Sequence, residues 1–270
     1  MRYGLIGEKL GHSYSKIIHE KLADYTYDLI PLSKDEFLAF MEKKDFTAIN
    51  VTIPYKQAVI PYLDELHPLA KEIGAVNTIV NKAGHYIGYN TDFYGFEYML
   101  NHNHITIKDK KCLVLGGGGT SQTVQAVLKH LGASEILVVS RKGASDNEAK
   151  AAGVFVAGVA NKAISYETCY ADHTDAAVIV NTTPLGMYPN IDASPLDLRT
   201  FTQCEAVVDV IFNPLKTKLA KQAELLGIKA VTGLEMLVAQ AKQAIEYFLD
   251  TKIDDRFIDE VYRDLLKTIS

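Results

Sequence analysis

The 270-residue sequence predicts an α/β protein of two domains. Three observations lead there. Strand-like runs rich in β-branched residues alternate with helical stretches along most of the chain. A glycine-rich turn, Gly116-Gly117-Gly118-Gly119, stands between a strand and a helix, the opening of a βαβ unit. A polar break, Asn101-His102-Asn103-His104, separates the first hundred or so residues from that turn.

In the first half a strand at 3–6 passes through residues 7–15 into a helix over about 16–23. A strand at 27–30 follows. Ser33 with Glu36 forms a capping box, so a helix runs over 34–42. The apolar run Ala48-Ile49-Asn50-Val51-Thr52 predicts a strand, and Pro54 forbids its continuation. A helix is expected from about Tyr55, with Lys56 at its start and Ala58, Val59 and Tyr62 along it. Strands at 77–80 and 86–89 flank Asn81-Lys82-Ala83-Gly84, a hairpin signal. Thr91 or Asp92 begins a helix that runs to Leu100. These elements describe a mixed α/β sheet domain. His102 and His104 read as solvated loop residues, and with no carboxylate or cysteine at ligand spacing no metal is expected.

The second half opens with a strand at 111–115, the glycine turn, a helix over 123–131 stopped by Gly132, and a strand at 135–140. The pattern is Gly116-x-Gly118-x-x-Ser121, a dinucleotide fingerprint with Ser in its third position. It places backbone N–H groups at a helix N-terminus, where a phosphate binds, and predicts a Rossmann-type doubly wound parallel sheet. The second strand ends in Ser140-Arg141-Lys142. An acid there would bind a ribose 2′-hydroxyl. Arg141 instead suits a 2′-phosphate, so NADP is preferred to NAD, unless both cations are simply solvated. Strands at 176–180 and 206–210 end in Asn181-Thr182-Thr183 and Ile211-Phe212-Asn213-Pro214, and a strand at 227–231 leads to Thr232-Gly233. A long helix over 234–250 carries Leu234, Leu237, Val238, Ala241, Ile245, Phe248 and Leu249 on one face, with Gln240 off it. A last helix spans 255–266, capped by Asp254.

Composition narrows the class. At 48% hydrophobic and 23% charged the chain is an ordinary globular protein. A net charge of -5 without a basic run argues against a nucleic-acid surface. Three widely spaced cysteines, Cys112, Cys169 and Cys204, suit a reducing cytoplasm. No targeting segment is read at the start, and no apolar run approaches the ~18 residues of a membrane span. A cytoplasmic monomer or homodimer acting on a small molecule is expected.

Lys56 follows a strand end, where α/β proteins place groups that act on ligands. A lysine withdrawn from water there suits acid–base work; in isolation Lys56 reads instead as a solvated cation at a helix start, as most lysines are. The motifs around it decide. They are His12-Ser13-Tyr14-Ser15; Asn50-Val51-Thr52-Ile53-Pro54-Tyr55-Lys56; Gly74-Ala75-Val76-Asn77-Thr78; and Gly88-Tyr89-Asn90-Thr91-Asp92. The glycine turn, residues 181–187, Asn213-Pro214 and Gly233-Leu234-Glu235-Met236-Leu237-Val238-Ala239-Gln240 continue the order. In these motifs the chain resembles the shikimate dehydrogenase family over essentially its whole length.

The resemblance implies a substrate-binding and catalytic domain over 1–101, an NADP-binding Rossmann-like domain over 102–231, and C-terminal helices over 232–270 that return to the first domain. It implies a site in the inter-domain cleft and reversible NADPH-dependent reduction of 3-dehydroshikimate to shikimate. Lys56 and Asp92 would be the catalytic pair. Ser13, Ser15, Thr52, Asn77 and Gln240 would orient the substrate. Gly116, Gly117, Gly118, Gly119, Thr120, Ser140, Arg141, Lys142, Thr182 and Gly233 would hold NADP. Taken singly, Asp92 also reads as a helix N-cap, Ser13 or Ser15 as a cap, Thr52 and Asn77 as strand-end hydrogen-bonding groups, and Gln240 as part of a solvated face.

Four residues depart from the family pattern. Lys16 stands for Pro, Glu20 for Asn, Ser140 for Asn and Phe212 for Tyr, and Lys16 reads as facing solvent. Three rival readings are a quinate/shikimate dehydrogenase using NAD or both cofactors, a non-catalytic nucleotide-binding regulator, and another two-domain dehydrogenase such as an amino-acid or folate enzyme, which the Ser13-x-Ser15 and Gln240 matches disfavour. A regulator would be expected to lose Lys56 or Asp92, and this chain keeps both.

Overall fold

The computed structural model describes residues 2–11, 13–141 and 161–269; His12 and Lys142 lie outside the described residues. The chain divides into two compact units, Met1–Gly95 with Leu237–Ser270, and Phe96–Met236.

The first unit contains β1 (Tyr3–Gly7), α1 (Ser15–Leu22), β2 (Tyr27–Pro31), α2 (Lys34–Lys43), β3 (Ala48–Val51), β4 (Glu65–Leu66), α3 (Pro68–Ile73), β5 (Thr78–Lys82) and β6 (His85–Tyr89). The helix α4 (Asp92–His102) follows. The strands form one sheet in the order β2-β1-β3-β5-β6-β4. β1 runs parallel to β2 and β3, while β5 is antiparallel to both β3 and β6. The Ser33 and Glu36 capping box forms as read, with Glu36 Oε2 accepting the Ser33 N–H at 2.8 Å. Ala83 and Gly84 make the two-residue hairpin, both at positive φ, as a turn matched to strand twist requires.

Three local expectations are corrected. The segment after Pro54 is not a helix: a single α-type bond joins Val59 N–H to Tyr55 O, and a short 3-10 turn follows at Ile60–Tyr62. Pro54 and Pro61 leave too few residues between them to propagate a helix. Lys16 does not simply face solvent. Its Nζ bonds Glu20 Oε1 at 2.6 Å and Tyr27 O at 2.8 Å, while Glu20 Oε1 accepts the Tyr27 N–H at 3.0 Å. The two departures thus act together and cover the open edge of β2. His102 is helical, not in a loop, and its Nδ1 pairs with Glu235.

The second unit contains β7 (Lys111–Leu115), α5 (Gly119–His130), β8 (Glu135–Val139), β9 (Asn161–Ile164), α6 (Tyr166–Asp172), β10 (Val178–Asn181), β11 (Ala206–Asp209), α7 (Lys218–Leu225) and β12 (Lys229–Thr232). All strand pairs are parallel, in the order β12-β11-β10-β7-β8-β9. Numbered within the unit this is the doubly wound 3-2-1-4-5-6 order, with its switch point between β7 and β10. The central strands are buried on both faces, which explains why they read as unbroken apolar runs.

The chain then enters α8 (Leu234–Leu249) and α9 (Arg256–Ile269). Ala244 and Phe248 of α8 pack with Tyr3, Leu5, Tyr27, Ala48, Val80 and Tyr89 on one face of the first sheet. The opposite face buries Ile6, Ile49, Val51 and Ile79 with Phe37 and Met41 of α2. Buried Lys242 on α8 is satisfied by Glu246 at 2.9 Å and by Asp255 at 2.8 Å, beside the start of α9.

Candidate active site

Strand direction gathers the candidate residues of the first unit. The C-terminal ends of β1, β3 and β6 lie at the same edge of the sheet as the N-terminal end of β5. Ser13 and Ser15 follow β1, Thr52 and Lys56 follow β3, Asn77 precedes β5, and Asp92 follows β6. Six residues scattered over about eighty positions therefore share one sheet edge.

Lys56 Nζ lies 2.6 Å from Asp92 Oδ2, and their side chains are 16% and 11% exposed. The Lys56 carbonyl accepts the Val76 N–H at 2.8 Å, which ties its turn to the residue before Asn77. Asp92 begins α4, but the side chain that serves the helix start is Asn90, whose Oδ1 accepts the Phe93 N–H at 3.3 Å. The Asp92 carboxylate is thereby left for Lys56. A short charge-assisted contact withdrawn from water is stronger and better oriented than its surface counterpart.

Asn77 is 3% exposed, and its Oδ1 accepts the Thr91 N–H at 2.7 Å. Its Nδ2 donates to Thr91 Oγ1 at 3.0 Å. Gln240 joins through Thr91 Oγ1 at 3.4 Å, and its Nε2 donates to Leu237 O at 2.9 Å. Asn77, Gln240 and Asp92 are thus brought together around Thr91, a residue quoted in the sequence motif without a role. Thr52 donates its N–H to Ile6 O at 2.9 Å. A Cβ on Gly7 would stand 2.5 Å from Thr52 Cγ2, so glycine there lets Thr52 approach β1. Ser15 donates its N–H to Ser13 Oγ at 3.3 Å, a local turn bond. Among the described residues, no hydrogen bond joins either serine to Lys56, Asp92, Asn77 or Gln240.

The C-terminal edge of the second sheet carries the other candidates. Gly116 has φ +99, and an added Cβ would lie 3.0 Å from Thr183 Cγ2 and 3.1 Å from Thr182 Oγ1. Gly117, Gly118 and Gly119 face open space, and α5 begins at Gly119 with no side chain capping its N-terminus. Uncapped N–H groups behind three glycines without neighbours fit a dinucleotide phosphate. Thr120 lies in the first turn of α5. Ser121 is fully buried and accepts from Gln125 Nε2 at 3.1 Å, which is how serine fills the third fingerprint position. Arg141 is exposed just after β8, beyond Ser140, whose N–H is held by Ile164 O. Thr182 Oγ1 donates to Leu115 O at 2.7 Å. At Gly233 a Cβ would meet Val210 O at 2.1 Å, so its glycine is required by backbone approach to the strand beside it.

Sequence reasoning missed a buried polar cluster behind this edge. Asp209 accepts from Asn181 Nδ2 at 3.0 Å, from the Ile211 N–H at 3.1 Å and from Thr217 Oγ1 at 2.7 Å. Asn181 Oδ1 in turn accepts the Thr183 N–H at 3.0 Å and Thr183 Oγ1 at 2.7 Å. This cluster fixes the loop that abuts Gly116. The only hint in the sequence was an acid and an amide at the ends of otherwise apolar strands.

A glycine turn at the switch point of a doubly wound sheet, together with a second sheet presenting a largely buried Lys–Asp pair, defines the class of two-unit α/β dehydrogenases. Residues 5–79 match the family model of the shikimate dehydrogenase substrate binding domain. A relative from Clostridium perfringens named shikimate dehydrogenase (NADP(+)) is 40% identical over 271 residues, covering 97% of each chain. The crystal structure of a chorismate mutase/shikimate 5-dehydrogenase fusion protein from Clostridium acetobutylicum superposes with a TM-score of 0.89 at 39% identity, covering 99% of this chain and 97% of that one. A shikimate 5-dehydrogenase from Thermus thermophilus, in complex with NADP(H) and shikimate, gives a TM-score of 0.84 at 28% identity, covering 98% of this chain and 99% of that one. The chain belongs to the shikimate dehydrogenase family.

Proposed function

We propose that the chain is an NADP-dependent oxidoreductase acting on a CH–OH group, and that it interconverts 3-dehydroshikimate and shikimate. The observation that carries this is the Lys56–Asp92 contact of 2.6 Å, set beside the Asn77, Thr91 and Gln240 network at one sheet edge. The names of the relatives support the substrate and the cofactor.

The first unit would hold the polyhydroxy acid, with Ser13 and Ser15 offering hydroxyls to its carboxylate and Asn77 and Gln240 offering amides to its alcohols. Thr52 would add a further hydroxyl at the end of β3. The second unit would hold NADP through the N–H groups around Gly116, Gly117, Gly118, Gly119 and Thr120, with Thr182 and Gly233 shaping the same edge. Arg141 would meet the 2′-phosphate, helped by Ser140 and Lys142. The dinucleotide, when bound, supplies or accepts a hydride at its nicotinamide.

During reduction negative charge builds on the carbonyl oxygen of the substrate. Lys56 donates the proton that this oxygen needs and stabilises the charge beforehand; in the reverse direction it takes the proton back. Asp92 accepts a hydrogen bond from a substrate hydroxyl and holds Lys56 in place. Cys112, Cys169 and Cys204 are free and buried, and burial pushes their thiols up to about 12, 11 and 11, which keeps them protonated and out of the chemistry.

The test is cofactor reduction by purified protein with shikimate, quinate or neither, each with NADP+ and with NAD+. Turnover with shikimate and NADP+, well above the other combinations, is expected. Equal use of NAD+ would overturn the cofactor preference, a larger rate with quinate would reassign the substrate, and no turnover with either acid would favour a regulator.

A further inference from the structure

Tyr27 is fully buried at the start of β2 and is held on three sides. Its backbone N–H and C=O are bonded by Glu20 and Lys16. Its ring stacks on that of buried His19, with centroids 3.9 Å apart. Its hydroxyl reaches across β1 to donate to Asn50 Oδ1 on β3 at 2.6 Å. Burial raises the phenol well above its usual range, so the hydroxyl keeps its proton and stays a donor.

The direction of the next bonds follows from what each group can do. Asn50 Nδ2 faces two acceptors, Asn77 O at 3.2 Å and Thr78 Oγ1 at 3.0 Å. A backbone carbonyl cannot donate, so the amide nitrogen must stand on that side and Oδ1 must face Tyr27. Thr78 Oγ1 accepts from Asn50 and so turns its own proton to Asn77 Oδ1 at 3.0 Å, nearer than Thr91 Oγ1 at 3.2 Å. Asn77 Oδ1 is then committed to Thr78 and to the Thr91 N–H. Its Nδ2 spends one hydrogen on Thr91 Oγ1, and the other has no acceptor among the described residues.

We propose that Tyr27 is a positioning residue for the substrate: its hydroxyl, acting through Asn50 and Thr78, steadies the Asn77 amide, whose sense the Thr91 N–H sets, as a hydrogen-bond donor to a substrate hydroxyl. This rests on the reading of Asn77 as a shikimate contact. It also gives the Lys16 and Glu20 departures a consequence, since both residues anchor the strand that carries Tyr27. Without the hydroxyl, buried Asn50 Oδ1 loses its donor, and the amide that bonds Asn77 O and Thr78 Oγ1 is held less firmly.

The test is steady-state kinetics on Tyr27→Phe, Thr78→Val and the double variant, with thermal melts alongside. Each single variant is expected to raise KM for shikimate about tenfold, the equivalent of one lost hydrogen bond, with KM for NADP+ unchanged. The double variant is expected to be no worse than either single one, because both break the same chain of bonds. Thr78→Ser, which keeps the hydroxyl, is expected to restore the wild-type KM. Unchanged shikimate KM in Tyr27→Phe, additive effects in the double variant, or a parallel rise in both KM values with loss of stability would each overturn the proposal. Should wild-type protein fail to oxidise shikimate at all, the assignment of function falls first, and the proposal with it.

Discussion

Asp209 is fully buried at the end of β11, and desolvation outweighs its three hydrogen bonds to push the carboxyl up to about 6. The native state therefore holds this proton more tightly than the unfolded chain does. The stabilisation is full below the ordinary carboxylate value of 3.8 and is lost as pH rises through about 6. That interval corresponds to ~3 kcal/mol. Asp209→Asn removes the titrating group while keeping an acceptor toward Asn181 and Ile211. Urea unfolding at a series of pH values is expected to show wild type losing stability relative to the variant, by ~3 kcal/mol from about pH 4 to pH 7. A difference that stays flat with pH would contradict the assignment. At the same scale, Lys56 and Asp92 could be singled out in the sequence as candidates because each lies in a dense motif. Asp209 was not, since one acid closing an apolar strand resembles any strand end.

Among the elements, α2 shows how far local chemistry reaches. Ser33 and Glu36 bond reciprocally at its N-terminus, with Ser33 Oγ 2.6 Å from Glu36 Oε2. Ser33→Ala is expected to lower unfolding stability by about 1 kcal/mol without changing the substrate or cofactor KM. A loss of less than a few tenths would show that the exposed box adds nothing. Long strands and helices with strong patterns were readable, as β7, α5 and α8 were. Among the described residues the missed helices are short: α3, α6 and α7 have six, seven and eight residues, about two turns or fewer on which to display a period. Their ends nevertheless carried signals. Pro68 and Gly74 bracket α3, and Ser165 and Thr217 cap α6 and α7. The expected helix after Pro54 failed for the opposite reason: an apolar pattern was present, but two prolines removed the length it needed.

In the whole molecule, strand order is what the sequence could not supply. Alternating strands and helices announce parallel pairing, yet the neighbours of β7 depend on where the crossovers turn. The return of α8 to the first sheet was likewise implied only by the family resemblance. An apolar stripe on a helix says that one face is buried, not against what; here Ala244 and Phe248 meet Tyr27 and Tyr89. That placement also puts Gln240 beside Thr91, joining a residue of the last third of the chain to those of the first. The central claim is that Lys56, held by Asp92 at this sheet edge, carries the proton in shikimate turnover. Its most direct test is the steady-state rate of Lys56→Ala with saturating NADP+ and varied shikimate. A fall in kcat of roughly 10²–10⁴ with a smaller change in KM is predicted, as for a lost acid–base group. Near-normal kcat in a folded Lys56→Ala protein would contradict it.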